Sequence, residues 1–274
     1  MKTLKPNSAA PESILIVGAS SYLAGFFLEA ARPELTVRAV SHSEIEQIDP
    51  ATVKILVNFA CDQAYHQNPY DPAIDFDAKL ISRFKGLGIH YIFLSSRKVY
   101  VPQKNTRESD PLSNDNFYGQ NKIITEALVC KDFPNDHTIL RIGNIIGPGM
   151  KPHTFIGQAI RTLAAQKQII LDVNGNTPRD FLPVTDFATA LIRIINTLPK
   201  GTFNIGAGHG TPVGKIAKWL VTGYGEGEVV CSSDQMKDAF YLNIDKLTDK
   251  IGAIGTPKNI ETTCMDIGWR LKHE

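Results

Sequence analysis

The stretch SILIVGASSYLAG, residues 13–25, sets the fold of the first half of this chain. Its opening run, Ser13 to Val17, is almost entirely apolar, which is the pattern of a strand buried on both faces. A turn of small residues from Gly18 to Ser21 follows, and the apolar run from Phe26 to Ala31 predicts a helix. A strand, a small-residue turn and a helix form the opening unit of a dinucleotide-binding fold, in which the helix N-terminus receives the pyrophosphate.

The glycine pattern of that turn is incomplete. Gly18 is present, but Ser21 and Ala24 stand where a second and a third glycine are usual. On this stretch alone, a plain strand-to-helix turn without a ligand therefore stays open as an alternative.

Further apolar runs alternate with helical segments along the next hundred residues. Strands are predicted at Leu35–Val40, Lys54–Ala60, Tyr91–Leu94 and Thr138–Ile142, with helices at Asp71–Gly86 and from Tyr118 onwards. This alternation predicts a parallel sheet whose ligands bind beyond the carboxyl ends of the strands. Only Glu44–Thr52 links the second and third strands, so one helix–strand unit of the usual fold is predicted to be missing. We therefore predict the α/β class, with a Rossmann-type doubly wound parallel sheet and a small C-terminal substrate-binding lobe.

Three side chains between Tyr91 and Lys122 form a candidate catalytic group. Tyr118 and Lys122 are four residues apart, so they project from one helical face. A lysine beside a phenol favours the phenolate and is expected to lower the pKa of the tyrosine. Ser96, at a strand end, can meet that pair across a cleft, and the three together suit proton transfer at a carbonyl or alcohol carbon. A bare Tyr-x-x-x-Lys is more often an ordinary surface pair, so the surrounding sequence has to support this interpretation.

Composition excludes several classes of protein. The chain has 274 residues, 43% of them hydrophobic, and a net charge of +1, which gives no electrostatic reason to expect a nucleic-acid or membrane partner. The four cysteines form no Cys-x-x-Cys pair, which argues against a zinc site and a disulfide framework. Residues 1–12 are polar and predict a flexible leader with no signal peptide. These features favour a reduced, cytoplasmic protein without a metal.

The C-terminal part, residues 151–274, is predicted to be mainly the substrate-binding lobe, with some segments returning to the dinucleotide-binding domain of residues 13–150. Helices are predicted at Phe155–Gln166, Asp186–Leu198, Val213–Val221 and Asn243–Leu247, strands at Ile169–Leu171 and Phe240–Leu242, and a loop at Gly223–Val230.

Seven short motifs occur in a family order: Val17–Gly25, Val57–Ala60, Phe93–Tyr100, Tyr118–Lys122, Leu140–Gly149, Arg179–Asp186 and Thr202–Gly206. In this order they resemble the extended short-chain dehydrogenase/reductase family that acts on nucleotide sugars, of the NAD-dependent epimerase/dehydratase type. The resemblance implies that Ser96, Tyr118 and Lys122 are catalytic. It implies a homodimer through the helix that carries Tyr118 and the helix before it.

The resemblance also implies two binding sets. The cofactor-binding residues would be Gly18, Ser20, Ser21, Tyr22, Leu23, Ser41, His42, Ser43, Phe59, Ala60, Tyr118 and Lys122. The substrate-binding residues would be Ser96, Arg97, Asn144, Arg179 and Lys237. Arg179 would hold the diphosphate, a role that suits a fork of donors, whereas a surface ion pair with Asp180 is the alternative.

Cofactor preference is predicted from the end of the second strand. An NAD-preferring site carries an acidic residue there for the ribose hydroxyls, and this chain has Ser41-His42-Ser43. Two hydroxyls and an imidazole can accommodate a 2′-phosphate, with Arg38 as a further group at the rim. We therefore expect NADP, with NAD as a possible cofactor.

The expected activity is reduction of a 4-keto nucleotide sugar, in particular a 4-keto-6-deoxyhexose. Arg97 and Lys98 follow Ser96 where sugar-nucleotide dehydratases have Asp-Glu, so the acid and base for eliminating water are missing. One alternative is a C4 epimerase with tightly bound NAD. Another is a non-catalytic dinucleotide sensor on the same fold, suggested by the incomplete glycine turn.

Overall fold

The computed structural model describes residues 14–113, 116–151 and 154–274, so the predicted leader, residues 1–12, lies outside the described residues. The strands are β1 Ile14–Val17, β2 Val37–Val40, β3 Ile55–Asn58, β4 His90–Ser96, β5 His137–Ile142, β6 Asn144–Ile146, β7 Gln168–Leu171, β8 Pro178–Arg179, β9 Phe181–Pro183, β10 Gly201–Ile205, β11 Thr211–Pro212 and β12 Glu228–Cys231. The helices are α1 Tyr22–Ala31, α2 Gln63–Gln67, α3 Phe76–Phe84, α4 Phe117–Asp132, α5 Phe155–Gln166, α6 Val184–Thr197, α7 Val213–Tyr224, α8 Asp245–Ile251 and α9 Pro257–His273.

A six-stranded parallel sheet in the order β10-β5-β4-β3-β1-β2 forms the centre of the molecule. All four residues of β1 and all six of β5 are buried. β1 is continuously apolar, as expected for a strand covered on both faces, whereas β5 also buries His137, Thr138 and Arg141. Helices cover both faces: Phe27 of α1 and Leu191 of α6 pack in one apolar cluster, and Leu80 of α3 and Val129 of α4 pack in another. The predicted α/β class and Rossmann-type sheet are confirmed.

Between β2 and β3 the chain has no further helix–strand unit, as predicted from the short link. β1 pairs with β2 on one side and with β3 on the other, so β2 is an edge strand. Two 3-10 helices, His42–Gln47 and Pro50–Thr52, fill the link between β2 and β3. The short link therefore brings the chain back to the sheet without another strand.

A second apolar core lies in the C-terminal part. Residues from α5, α7 and α9 build it, among them Leu163, Leu220 and Ile267. Three two-stranded pairings lie outside the six-stranded sheet: β6 with β9, β7 with β12 and β8 with β11. The chain also returns to the first core, because β10 pairs with β5 and α6 packs against α1.

Two local predictions in the lobe are wrong. The predicted loop Gly223–Val230 contains the start of β12, which pairs in parallel with β7 and is exposed at three of its four positions. The predicted strand Phe240–Leu242 is absent, and Leu242 makes only an isolated bridge with Thr106. Both are short pairings made with distant segments, which local sequence patterns do not record. Across residues 14–113, 116–151 and 154–274, none of the helices combines the length and apolarity needed to cross a membrane.

Candidate active site

A cleft of about 360 Å³ lies at the carboxyl ends of the parallel strands, a volume within the usual range for ligand pockets. The ends of β3, β4 and β5, the start of α1 and the first turns of α4 line it. We refer to this space as the cleft. Ser96, Tyr118 and Lys122 all line it, so the structure brings the three predicted catalytic residues together.

Helix α4 presents Tyr118 and Lys122 to the cleft. The helix begins with Asn116 as its N-cap, whose side chain accepts a hydrogen bond from the Gly119 amide at 2.9 Å. The Lys122 side chain is buried and its Nζ donates to the Leu94 carbonyl at 2.9 Å. The same Nζ lies 5.9 Å from the centroid of the Tyr118 ring. Lys122 is therefore fixed beneath the tyrosine by a backbone bond from β4.

A buried ion pair fixes the next turns of the same helix to the sheet. Glu126 of α4 accepts hydrogen bonds from Arg141 of β5 at 2.7 Å and from the Ser95 hydroxyl at 2.5 Å. Both charged side chains are about 6% exposed. Since positions 118, 122 and 126 follow one another at helical spacing, this anchor sets the rotation of α4 that directs Tyr118 into the cleft.

Ser96 and His66 complete the surroundings of the tyrosine. The Ser96 hydroxyl contributes to lowering the pKa of the Tyr118 phenol, against the larger effect of burial, and it accepts a hydrogen bond from the Lys98 amide at 3.2 Å. The His66 ring stacks on the Tyr118 ring, with centroids 4.3 Å apart and an interplanar angle of 11°. His66 was not predicted from the sequence, because no motif links the short helix α2 to α4.

The protonation of this group differs from the expectation. Burial of the phenol raises the pKa of Tyr118, and the nearby Lys122 charge lowers it without reversing that direction. The expected net lowering of the tyrosine pKa is therefore wrong for the protein without ligands. Burial lowers the pKa of Lys122, but the neighbouring Tyr118 and Asp77 raise it overall. At neutral pH the site holds a neutral phenol above an ammonium group.

Asp77 is an acidic residue in the cleft that the sequence did not single out. It lies in the first turn of α3 and accepts a hydrogen bond from the Tyr91 hydroxyl at 2.8 Å. Burial raises the pKa of Asp77 to about 6, against the opposing effect of Lys122. The apolar side of α3 gave no sign that this carboxyl would turn inward.

The turn after β1 requires a glycine at its first position. Gly18 has φ +81°, and a Cβ on it would lie 2.5 Å from the Ala60 amide nitrogen, so only glycine fits where β1 and β3 meet. Ser21 is the N-cap of α1 and accepts from the Ala24 amide at 3.2 Å. Tyr22 and Leu23 line the cleft, with Phe59 and Ala60 opposite, whereas Ser20 is exposed and does not line it. Their roles as cofactor ligands stay predictions.

The end of β2 contains a carboxylate that the sequence analysis missed. Ser41 and Ser43 hydroxyls are 2.8 Å apart, and the Glu44 carboxylate accepts from the Ser41 amide at 2.8 Å. These bonds from Ser41 lower the pKa of Glu44, so it is ionised at neutral pH. The premise that this strand end lacks an acid is therefore wrong. The His42 ring stacks on Phe76 at 4.4 Å between centroids.

Two of the predicted substrate residues, Arg97 and Arg179, face the same carboxylate, that of Asp238. Arg97 directly follows Ser96 and forms a bidentate ion pair with Asp238, with both N–O distances 2.6 Å. Arg179 also faces Asp238, at 3.8 Å from Nε to Oδ2. The alternative ion pair between Arg179 and Asp180 is wrong, because Asp180 is fully buried and accepts from the Ala207 and Leu242 amides.

Two further predicted substrate residues are less directly engaged. Asn144 is half-buried at the start of β6, between the cleft-lining residues Gly143 and Ile145. Lys237 is exposed, and its backbone carbonyl accepts from Arg179 at 3.2 Å. Their roles as substrate ligands stay predictions.

Comparisons with known proteins agree with this geometry. A model of the NAD dependent epimerase/dehydratase family matches residues 14–206. The dTDP-L-rhamnose 4-epimerase of Burkholderia thailandensis is 33% identical over 97 residues, a match that spans 33% of this chain and 27% of that relative.

Two solved structures are similar over nearly their whole length. One is a UDP-N-acetylglucosamine 4-epimerase from Methanobrevibacter ruminantium M1, with a TM-score of 0.81, 17% identity and coverage of 96% of this chain and 99% of the other. The second is a dTDP-4-dehydrorhamnose reductase from Yersinia enterocolitica, with a TM-score of 0.75, 17% identity and coverage of 94% and 99%. At these identities the structures establish the fold, while the family model matches most of the sequence. This chain belongs to the NAD dependent epimerase/dehydratase family, and the resemblance to extended short-chain dehydrogenases/reductases is thereby confirmed.

Proposed function

We propose that this protein reduces the 4-keto group of a nucleotide sugar, in particular a 4-keto-6-deoxyhexose, with a nicotinamide dinucleotide as reductant. The observation that carries the proposal is the convergence of Ser96, Tyr118 and Lys122 on one cleft, with Lys122 Nζ 5.9 Å from the centroid of the Tyr118 ring. Burial raises the pKa of the Tyr118 phenol, which favours its protonated form. A reduction needs a proton donor at the carbonyl oxygen, and a phenol that keeps its proton at neutral pH meets that need.

The chemistry divides between the cofactor and the chain. When bound, the reduced nicotinamide supplies a hydride to the carbonyl carbon. Tyr118 donates its phenolic proton to the sugar oxygen as charge develops there, and Ser96 donates a hydrogen bond to the same oxygen. Lys122, whose Nζ lies 5.9 Å from the Tyr118 ring centroid, stabilises the phenolate that remains. These interactions strengthen as the oxygen becomes negative, so they lower the barrier as well as aiding binding.

The cofactor is proposed to be NADPH, with NADH also accepted. The Ser41 and Ser43 hydroxyls, 2.8 Å apart, offer donors to a 2′-phosphate. The ionised Glu44 beside them opposes that phosphate and suits the free ribose hydroxyls of NADH. Because the two hydroxyls favour NADPH and the Glu44 carboxylate favours NADH, we expect only a modest preference between the two cofactors.

A C4 epimerase with tightly held NAD is the second candidate function. The curated relative over 97 residues is a 4-epimerase, which favours this alternative. Nicotinamide retained through purification would support it, whereas exchange with NADPH in solution supports the reductase. A dehydratase is not proposed, because Arg97 and Lys98 follow Ser96 and neither is an acid that could take part in eliminating water.

We also propose a cytoplasmic homodimer, on the family's example, formed through α3 and α4. Phe117 and Ile124 of α4 are 42% and 40% exposed, which leaves apolar surface on that helix for a second copy.

The test of the proposed chemistry is Tyr118→Phe. Purified protein is mixed with NADPH, or separately with NADH, and with a panel of 4-keto-6-deoxy nucleotide sugars, and loss of the reduced-nicotinamide absorbance is followed. We expect the variant to lose about a hundredfold or more in turnover, as for a missing general acid, while it binds NADPH as the wild type does.

Tyr65→Phe is the matched control. The Tyr65 ring packs edge-on against Tyr118, but its hydroxyl bonds to Thr125 at 2.7 Å, away from any role in proton delivery. This variant should retain turnover. Near-full activity of Tyr118→Phe with its cofactor bound would rule the mechanism out.

A further inference from the structure

A histidine on the short helix α2 covers one face of the Tyr118 ring. The His66 imidazole and the Tyr118 phenol are nearly parallel, with an interplanar angle of 11° and centroids 4.3 Å apart. Both side chains line the cleft. No step of the proposed reaction uses His66, although its ring lies closer to the phenol than the ring of Tyr65, whose centroid is 6.2 Å away.

Helix α2 is fastened to α4 on both sides of His66. The buried Asn121 side chain donates to the Tyr65 carbonyl at 2.8 Å and to the Asn68 carbonyl at 3.0 Å. Asn121 lies on the helix that carries Tyr118, three residues further along. These bonds therefore fix the backbone around His66 relative to the tyrosine.

The imidazole ring is held from a second direction. Its Nε2 lies 3.4 Å from the sulfur of Cys61, within the hydrogen-bonding range of sulfur. Cys61 follows a turn at the end of β3, in which the Asn58 side chain accepts from the Ala60 amide at 2.9 Å and donates to the Ala60 carbonyl at 3.0 Å. A parallel stack depends on both the place and the tilt of each ring. Helix α2 sets the place of the His66 ring, and the contact with Cys61 sets its tilt.

The position of Tyr118 explains why such a support matters. Tyr118 is the second residue of α4, and its side chain is half-buried. An aromatic side chain at such a place has several staggered orientations open to it. A general acid acts only within hydrogen-bond reach of the oxygen that it protonates, and small misplacements of a catalytic group cost much of its rate.

We propose that His66 is a positioning residue for Tyr118: the stacked imidazole holds the phenol in the orientation from which it protonates the substrate oxygen. The inference rests on the proposed function for the role of Tyr118. His66 itself transfers no proton, because its ring lies flat on the phenol ring and its Nε2 faces Cys61. The same ring keeps water from one face of the tyrosine, and this cover is part of the burial that raises the phenol pKa.

The kinetic test compares His66→Phe with His66→Ala. Phenylalanine keeps a flat ring that can stack, whereas alanine leaves one face of Tyr118 open. With saturating NADPH and a keto sugar that the wild type reduces, we expect His66→Ala to lose about three- to tenfold in kcat, the factor that one aromatic pair supplies, with little change in KM. His66→Phe should stay within about twofold of the wild-type kcat.

The pH profile separates positioning from a general loss of structure. A reduction that needs the phenol slows at high pH as the phenol ionises. Because alanine admits water to the open face, the pKa of Tyr118 should be lower in His66→Ala than in the wild type and in His66→Phe. The descending limb of kcat should move to lower pH with it. Lys122, Cys61 and Asp77, whose charges also act on the phenol, are unchanged in all three proteins.

A titration of Tyr118 tests the same point without turnover. When the tyrosines carry a ¹³C label at the phenolic carbon, the Tyr118 resonance is the one that disappears in Tyr118→Phe, and its shift follows ionisation of the phenol. We expect this resonance to titrate at lower pH in His66→Ala than in the wild type and in His66→Phe. Gln67→Ala, an exposed change on the same short helix, is the control and should titrate as the wild type does.

Three results would overturn the inference. The first is a Tyr118 pKa that is the same in His66→Ala as in the wild type. The second is a His66→Phe variant as impaired as His66→Ala, which would give the imidazole nitrogens a chemical role. The third is an equal shift in Gln67→Ala. If the wild type reduces no keto sugar of the panel, the proposed reaction fails, and the titration of Tyr118 by itself then decides this inference.

Discussion

Tyr118 keeps its proton because the protein surrounds it on several sides. The Tyr118 ring is stacked on His66 at 4.3 Å, and burial raises the phenol pKa. The Lys122 charge is the opposing influence. The tyrosine is therefore ready as an acid before any ligand arrives, and the lysine matters most once the proton has left. In the reverse reaction, which is an oxidation of the alcohol, Tyr118 would have to accept a proton as the phenolate. A raised pKa disfavours this ionised form.

Glu44 is the residue where sequence reasoning failed most instructively. Position 41, where an acid is usual, is serine, and that was correctly observed. The carboxylate arrives three residues later, because a 3-10 helix turns Glu44 back to the Ser41 amide. The capping pattern Ser-x-x-Glu was readable in the sequence. The effect of this cap on cofactor preference could not be predicted from the sequence, because the cap lies in the short link that replaces a helix–strand unit.

Glu44→Gln should shift the cofactor preference. Removing the negative charge beside the Ser41–Ser43 hydroxyls should raise the affinity for NADPH relative to NADH by about two- to fivefold, the size expected for an exposed charge pair. Dissociation constants for both cofactors, measured by quenching of protein fluorescence, give this ratio. The effect should weaken at high salt.

Glu46→Gln is the matched control for that prediction. Glu46 lies on the same 3-10 helix but pairs with Arg83 at 2.7 Å. The same shift in both variants would show that the general charge of this edge, and not Glu44, sets the ratio.

At the scale of elements, β1, its turn and α1 were predictable because local rules govern each of them. An apolar run makes a buried strand, Gly18 permits φ +81°, and Ser21 caps the helix. The rotation of α4 was less predictable. The four-residue spacing put Tyr118 and Lys122 on one face, but the Arg141–Glu126 pair that directs this face inward joins segments 15 residues apart. β12 was missed because its partner, β7, lies 60 positions earlier in register.

Gly18→Ala should destabilise the protein by at least about 2 kcal/mol, because alanine is strained at this φ and its Cβ would overlap the Ala60 amide. The midpoint and slope of urea unfolding measure the loss. Cofactor binding should fall with it, since the same turn is predicted to hold the pyrophosphate.

Gly25→Ala, in the helix that follows, is the matched control. A Cβ at Gly25 meets nothing within 4 Å, and the position is exposed. Alanine there should stabilise the helix by about 0.5 to 1 kcal/mol. Similar destabilisation in both variants would contradict the steric argument at Gly18.

At the scale of the whole molecule, the cleft is built from both parts of the chain. Ser96 ends β4 and Tyr118 lies on α4, whereas Lys151 and Thr154 lie just before α5. The sheet domain follows from patterns within each strand and helix, so its order was predictable. The carboxylate on which Arg97 and Arg179 converge comes from a segment without regular structure more than 50 residues away from either. No pattern in the sequence specifies such a contact, and this is why the partner of Arg179 was predicted wrongly.

The pH dependence of stability reports on the buried carboxyl groups of the protein. Burial raises the pKa of both Asp77 and Asp180 from 3.8 to about 6. The folded protein therefore binds more protons than the unfolded chain between about pH 4 and pH 6. The stabilisation by these two carboxyls is complete below about pH 4 and is lost as the pH rises through about 6. An ionised Asp77 thus weakens the fold at neutral pH.

Asp77→Asn should remove half of this dependence. The amide oxygen of asparagine can still accept from the Tyr91 hydroxyl, which Asp77 binds at 2.8 Å. Relative to wild type, the free energy of unfolding of the variant should rise by about 1 to 3 kcal/mol between pH 4.5 and pH 7.5, since one pKa unit corresponds to about 1.4 kcal/mol. Guanidinium unfolding of the protein without ligands at a series of pH values measures this difference.

Asp180 is unchanged in the comparison, so its contribution cancels. Asp234→Asn, at an exposed position, should run parallel to wild type. A parallel curve for Asp77→Asn as well would mean that Lys122 fully compensates the buried carboxylate, and that the two form a permanent ion pair beneath Tyr118.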